Sequence, residues 1–150
     1  MMDTASSDEL GTGKWSAGPM ATVVHISDKW IMGGVAQHWW SFAGDSDRDS
    51  VNMTDIQPIL RYRLNASTNI GLAPNIRYNW SAESGERWQI PLGLGASTVV
   101  MLGPLPLGIG VEGYYYVESP DTLGPEYQFR FFITPVFKAP EWSRIPFFGR

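Results

Sequence analysis

The 150-residue chain contains no cysteine, so no disulfide framework holds it together, and that absence suits a bacterial envelope protein as well as a cytosolic one. No apolar run approaches the roughly 18 to 20 residues that a membrane helix requires, so any membrane role falls to strands. Charge is also sparse, at 17% of residues, with 11 basic against 15 acidic side chains and a net charge of -4. There is no Lys/Arg cluster, which gives nucleic-acid binding little support. Met1 to Glu9 lack the basic start and apolar stretch of a signal peptide.

What the chain does have is alternation. About seven segments, each of about a dozen residues, switch between apolar and polar with a period of two, which gives each strand two unlike faces. In Thr68 to Trp80, the residues Ile70, Leu72, Pro74, Ile76, Tyr78 and Trp80 fall on one side, and Asn69, Gly71, Asn75, Arg77 and Asn79 on the other. The segment from about Asn52 to Leu64 sets Ile56, Leu60 and Tyr62 against Asp55, Gln57, Arg61 and Arg63. Further strands are expected over Lys14 to His25, Trp30 to Phe42, Trp88 to Val100, Leu107 to Val117 and Tyr127 to Phe137. In these, Gln89, Glu112, Gln128 and Arg130 take the polar side. The strand from Trp30 is the least regular, because His38 shares a side with Met32, Trp40 and Phe42.

The connections alternate too. Turns near residues 27, 66 and 103 are short, whereas those near 46, 84 and 121 are longer and polar. Short turns at one end and long loops at the other belong to outer-membrane barrels. The expected fold is therefore all-β, an antiparallel up-and-down transmembrane β-barrel, partial at about seven strands where single-chain bacterial barrels have an even number. Residues 1–12 read as an N-terminal loop or truncated start, 13–137 as the barrel wall, and 138–150 as a C-terminal tail. A soluble β-barrel or sandwich binding an apolar ligand predicts the same periodicity with the faces exchanged, apolar side inward. The polar side favours the membrane arrangement, being rich in glycine and small residues rather than in Lys and Glu.

Several strings occur in a familiar order: Leu10-Gly11-Thr12-Gly13-Lys14-Trp15, Trp40-Ser41-Phe42-Ala43-Gly44-Asp45, Val51-Asn52 with Gln57-Pro58 and Tyr62, and Trp88-Gln89-Ile90-Pro91-Leu92. Over about residues 10 to 137 the chain resembles the C-terminal portion of a family of bacterial outer-membrane barrels, porin-like or transporter-like. Its members are described as neuromedin-U-like or as related to the MetA pathway of phenol degradation. The resemblance implies an outer-membrane location, upstream strands and an export signal that this stretch of sequence does not include, and no catalytic residues. Its members tend to stop close to the last aromatic strand, and the tail after Phe137 departs from that pattern.

On this reading Asp55, Gln57, Arg61, Arg63, Asn75, Arg77, Gln89, Glu112, Gln128 and Arg130 line a lumen, either biasing which solutes pass or pairing to stabilise the wall. Trp15, Trp40, Trp80, Trp88, Tyr115, Tyr127 and Phe137 are expected at the membrane interfaces. The expected function is diffusion of small solutes, including hydrophobic or aromatic ones, with outer-membrane lipid as the surrounding partner. A homo-oligomer or the missing N-terminal strands would complete the wall. No enzyme activity, cofactor or metal is expected. Asp45, Asp47 and Asp49 begin like a calcium loop, but Ser50 and Ile56 stand where Gly and Glu are required. His25 and His38 lie far apart, and no Gly-x-Ser-x-Gly elbow occurs. Pro58, Pro74, Pro91 and Pro135 run against a continuous ladder, and bulges are the expected remedy.

Overall fold

A computed structural model describes residues 13–122 and 124–137. The expected N-terminal loop of 1–12 and the tail of 138–150 lie outside the described residues. Every regular element among the described residues is a strand: β1 (Lys14–Ala17), β2 (Met20–Ile26), β3 (Trp30–Gly44), β4 (Asn52–Arg63), β5 (Thr68–Leu72), β6 (Ile76–Asn79), β7 (Trp88–Leu102), β8 (Leu105–Glu118) and β9 (Tyr127–Pro135). They form one antiparallel sheet in the order β1-β3-β4-β5-β7-β8-β9, with β2 also on β3 and β6 also between β4 and β7. Apart from β1 with β2 and β5 with β6, which share a position, each strand therefore neighbours the next in sequence, joined by hairpins. Among the described residues the sheet is open, with β1 at one edge and β9 at the other.

Two of the expected strands are interrupted. Lys14 to His25 divides into β1 and β2 at Gly18-Pro19, both parts pairing with β3. Thr68 to Trp80 divides into β5 and β6 at Ala73-Pro74-Asn75, both parts lying between β4 and β7. Seven positions across the sheet thus hold nine strands.

The turns explain the hairpins. Asn65 Oδ1 accepts the backbone N–H groups of Ser67 (3.0 Å) and Thr68 (2.8 Å), closing the tight β4–β5 turn by a local side-chain bond. The longer loops are fastened at the opposite end. Ser41 and Val51 exchange bonds at the foot of the β3–β4 loop, through Ser41 N–H to Val51 O (2.7 Å) and Val51 N–H to Ser41 Oγ (3.0 Å). Glu86 in the β6–β7 loop accepts the Asp121 N–H of the β8–β9 loop at 3.1 Å, tying two long loops together.

The two faces are unequal in an unusual sense. Apolar side chains on one face are open: Leu94 is 60% exposed, Val111 56% and Phe129 86%. The carboxylates on the other face are covered, with Asp55 2% and Glu112 4% exposed. A water-soluble sheet hides its apolar side and leaves its charges wet, because burying apolar area is the main driving force and burying charge is costly. Here the polarity is reversed.

The prolines resolve differently from one another. Pro91 lies at a register shift between β7 and β8, a bulge as expected, and Pro135 is the last residue of the edge strand β9. Pro58 and Pro74 are not at bulges. The β4 register is the same on both sides of the break, Leu60 opposite Leu72 and Ile56 opposite Ile76, so Pro58 falls opposite Pro74. By the same reasoning Asn75 falls opposite Pro91 on β7. Three residues without an N–H are thus gathered at one gap in the ladder, so the lost donors are confined to one place in the sheet.

Candidate functional site

The polar face carries one connected set of hydrogen bonds and ion pairs running from β4 to β9. It begins at Asp55, whose carboxylate accepts the Arg77 Nε–H (3.0 Å) and the Asn75 amide (3.1 and 3.4 Å). Asn75 Oδ1 accepts from Gln57 Nε2 (3.3 Å) and from Arg130 Nη2 (3.0 Å). Arg130 continues to Glu112 Oε2 at 3.0 Å, and Glu112 Oε1 pairs with Arg61. Arg61 Nη1 then donates to Asn69 Oδ1 (3.2 Å), which also accepts the Ser97 hydroxyl (3.1 Å).

This network needs side chains that lie along the sheet instead of standing on it. Arg61, Gly71, Gly95, Glu112 and Arg130 form one row across β4, β5, β7, β8 and β9. Adjacent strands are about 4.8 Å apart, so the Arg61 and Glu112 backbones are separated by roughly 14 Å and their side chains must bridge two intervening strands. Glycine in both intervening positions leaves the path clear. A Cβ on Gly95 would collide with Glu112 Cγ, and one on Gly71 would collide with the Leu60 carbonyl.

The gap in the ladder is mended from the same face. Ala73, 7% exposed, has no strand partner for its peptide groups. Its N–H donates to the Tyr114 hydroxyl oxygen at 3.2 Å, and its carbonyl accepts from Gln57 Nε2 at 3.1 Å. Tyr114, 3% exposed, donates in turn to Glu112 Oε2 at 3.1 Å, and Arg130 lies 5.7 Å above its ring. Buried peptide groups must find partners, and here side chains replace the missing strand.

Of the polar residues expected from the sequence, Asp55, Gln57, Arg61, Asn75, Arg77, Glu112 and Arg130 are joined directly. Gln89 stands opposite Arg77, Arg63 opposite Asn69, and Gln128 accepts a 3.4 Å bond from the Tyr116 hydroxyl, outside the connected set. Sequence reasoning missed Tyr114, Asn69 and Ser97 as members. The signal for Tyr114 was its place on the glycine-rich side of its strand; Ala73 gives none, because it takes part through its backbone.

No protein-family model, curated protein or solved structure matches this chain.

On the apolar face, Trp15, Trp40, Trp80, Trp88, Tyr115, Tyr127 and Phe137 are all exposed. Tyr78, placed on the apolar side from the sequence but not counted among the interface aromatics, packs edge-on against both Trp80 (4.7 Å) and Trp88 (4.6 Å) near the long loops. Thr54 Oγ1 meets Trp80 Nε1 (2.9 Å) and His38 Nδ1 (2.8 Å) there, so the irregular histidine of β3 has a local partner. A second pair, Trp30 with Tyr62 at 4.9 Å, stands near the short turns. Among the described residues no set of three or more His, Cys, Asp or Glu side chains is arranged to hold a metal ion.

Proposed function

We propose that the chain forms part of the wall of a bacterial outer-membrane β-barrel that lets small solutes diffuse through a polar lumen. The observation that carries this reading is the reversed polarity of the sheet: open apolar side chains on one face, covered carboxylates paired with guanidinium groups on the other. Lipid is the surrounding that stabilises such an exterior, and an outward apolar band with a polar interior is the arrangement of barrels that span membranes. Aromatic side chains near both ends of the strands, Trp80 and Trp88 at one and Trp30 and Tyr62 at the other, suit the two boundaries of a hydrocarbon layer.

The mechanism is passage without bond making or breaking. Solutes would meet a wall on which Arg61, Arg77 and Arg130 outnumber Asp55 and Glu112, held in fixed positions by mutual pairing. Further strands would close the wall, from a preceding segment as the resemblance in the sequence implies, or from a second copy of the chain.

Solubility and conductance test the proposal. The protein is expected to be monodisperse only with detergent, and to give discrete conductance steps in planar bilayers. Monodisperse behaviour in plain buffer, with Ile70, Leu72 and Ile76 protected from solvent labelling, would overturn the membrane reading. A detergent-dependent protein without conductance would overturn the pore alone.

A further inference from the structure

Between the β3–β4 loop and the polar face lies a recess of about 710 Å³, and nothing in the connected network fills it. Its lining brings Trp39 and Met53 together with Arg77 and its partner Asp55 on the wall, and Asp47, Arg48 and Asp49 on the loop. Its volume is that of a site for a small organic molecule. Polar and apolar groups share the lining, as such sites require.

Arg77 is built as a receptor for an anion. Its Nε is fixed by Asp55 at 3.0 Å, and Asp55 is itself held by Asn75. The two Nη groups have no partner among the described residues, and the side chain is 49% exposed. A guanidinium anchored from behind loses little freedom on binding and presents the paired donors that match a carboxylate. Arg48, half-buried on the loop, likewise has no ion-pair partner among the described residues. Asp47 and Asp49 are exposed, so water and salt weaken their influence, yet they disfavour a ligand of multiple negative charge.

We infer that the recess under the 45–51 loop binds a small monocarboxylate carried on an apolar body, the carboxylate on Arg77 and the body against Trp39 and Met53. This deepens the pore reading, on which it rests for the recess to lie on the solute's path.

Calorimetry on the detergent-folded protein provides the test, with 3-phenylpropionate, its neutral amide and inorganic phosphate as probes. The carboxylate is expected to bind saturably, the amide at least about tenfold more weakly, and phosphate not at all. Arg77→Gln should erase the difference between carboxylate and amide, while Arg77→Lys retains part of it. If Arg77→Gln fails to fold because Asp55 loses its counter-charge, the loop variant Asp47→Asn with Asp49→Asn carries the test. It should tighten carboxylate binding about two- to threefold. Equal binding of carboxylate and amide, saturable binding of phosphate, loss of carboxylate binding in the loop variant, or no saturable carboxylate binding overturns the site. Saturable carboxylate binding without bilayer conductance would overturn the pore reading and leave the site standing; conductance without such binding would do the reverse.

Discussion

Glu112 answers to two guanidinium groups at once, Arg61 through one oxygen and Arg130 through the other, with Tyr114 sharing the second. Its side chain is 1% exposed, so water does little to soften its removal. Glu112→Gln leaves both arginines without their counter-charge and should lower stability by about 3 kcal/mol, read as a shift in the urea midpoint of protein folded in micelles. Tyr114→Phe removes the acceptor of the Ala73 N–H together with the hydroxyl donor to Glu112 Oε2, and should cost about 1–3 kcal/mol. It should also speed hydrogen exchange at the Ala73 amide, whereas Tyr116→Phe should leave that amide unchanged. Period-two alternation places Arg61, Glu112 and Arg130 on one side from the sequence alone. Their pairing is not legible there, because Arg61 and Glu112 are 51 residues apart in sequence and meet only through the register of the strands between them.

Among the elements, β5 and β6 show what a strand needs to survive interruption. Both ends keep paired neighbours, and the unpaired middle is satisfied from Tyr114 and Gln57. Prolines at 58, 74 and 91 read as local faults in the sequence, and their convergence at one gap emerges only when three strands are set side by side. The neighbouring β7 gives two contrasting tests. Gly95→Val would push against Glu112 and the Val111 carbonyl, and should cost about 1–3 kcal/mol in the same unfolding measurement through overpacking. Leu94→Arg, one residue away and on the apolar face, should cost about 2–4 kcal/mol in a lipid bilayer if it lies near the midplane. In a water-facing sheet that same change would be nearly neutral.

At the scale of the whole molecule, the absence of cysteine becomes an experimental asset, since each introduced thiol is unique. Fluorophores attached at Leu94→Cys or Val111→Cys should be quenched by nitroxide-bearing lipids in reconstituted vesicles. A fluorophore at Gln89→Cys should instead respond to a water-soluble quencher. The reverse outcome would mean that the faces are exchanged. The two-sidedness of the sheet also gives the Ala73–Asn75 interruption a different meaning. Three unpaired residues stand where three paired ones would have stood, so the alternation stays in phase from β5 into β6. Removing one residue there would invert β6, turning Arg77 and Asn79 out among the exposed apolar side chains and bringing Tyr78 in beside Asp55. The interruption is accordingly fixed in its length as well as in the Asn75 side chain that joins Asp55 to Arg130, and a single-codon deletion at that point would be more damaging than a substitution at Ala73, which takes part through its backbone.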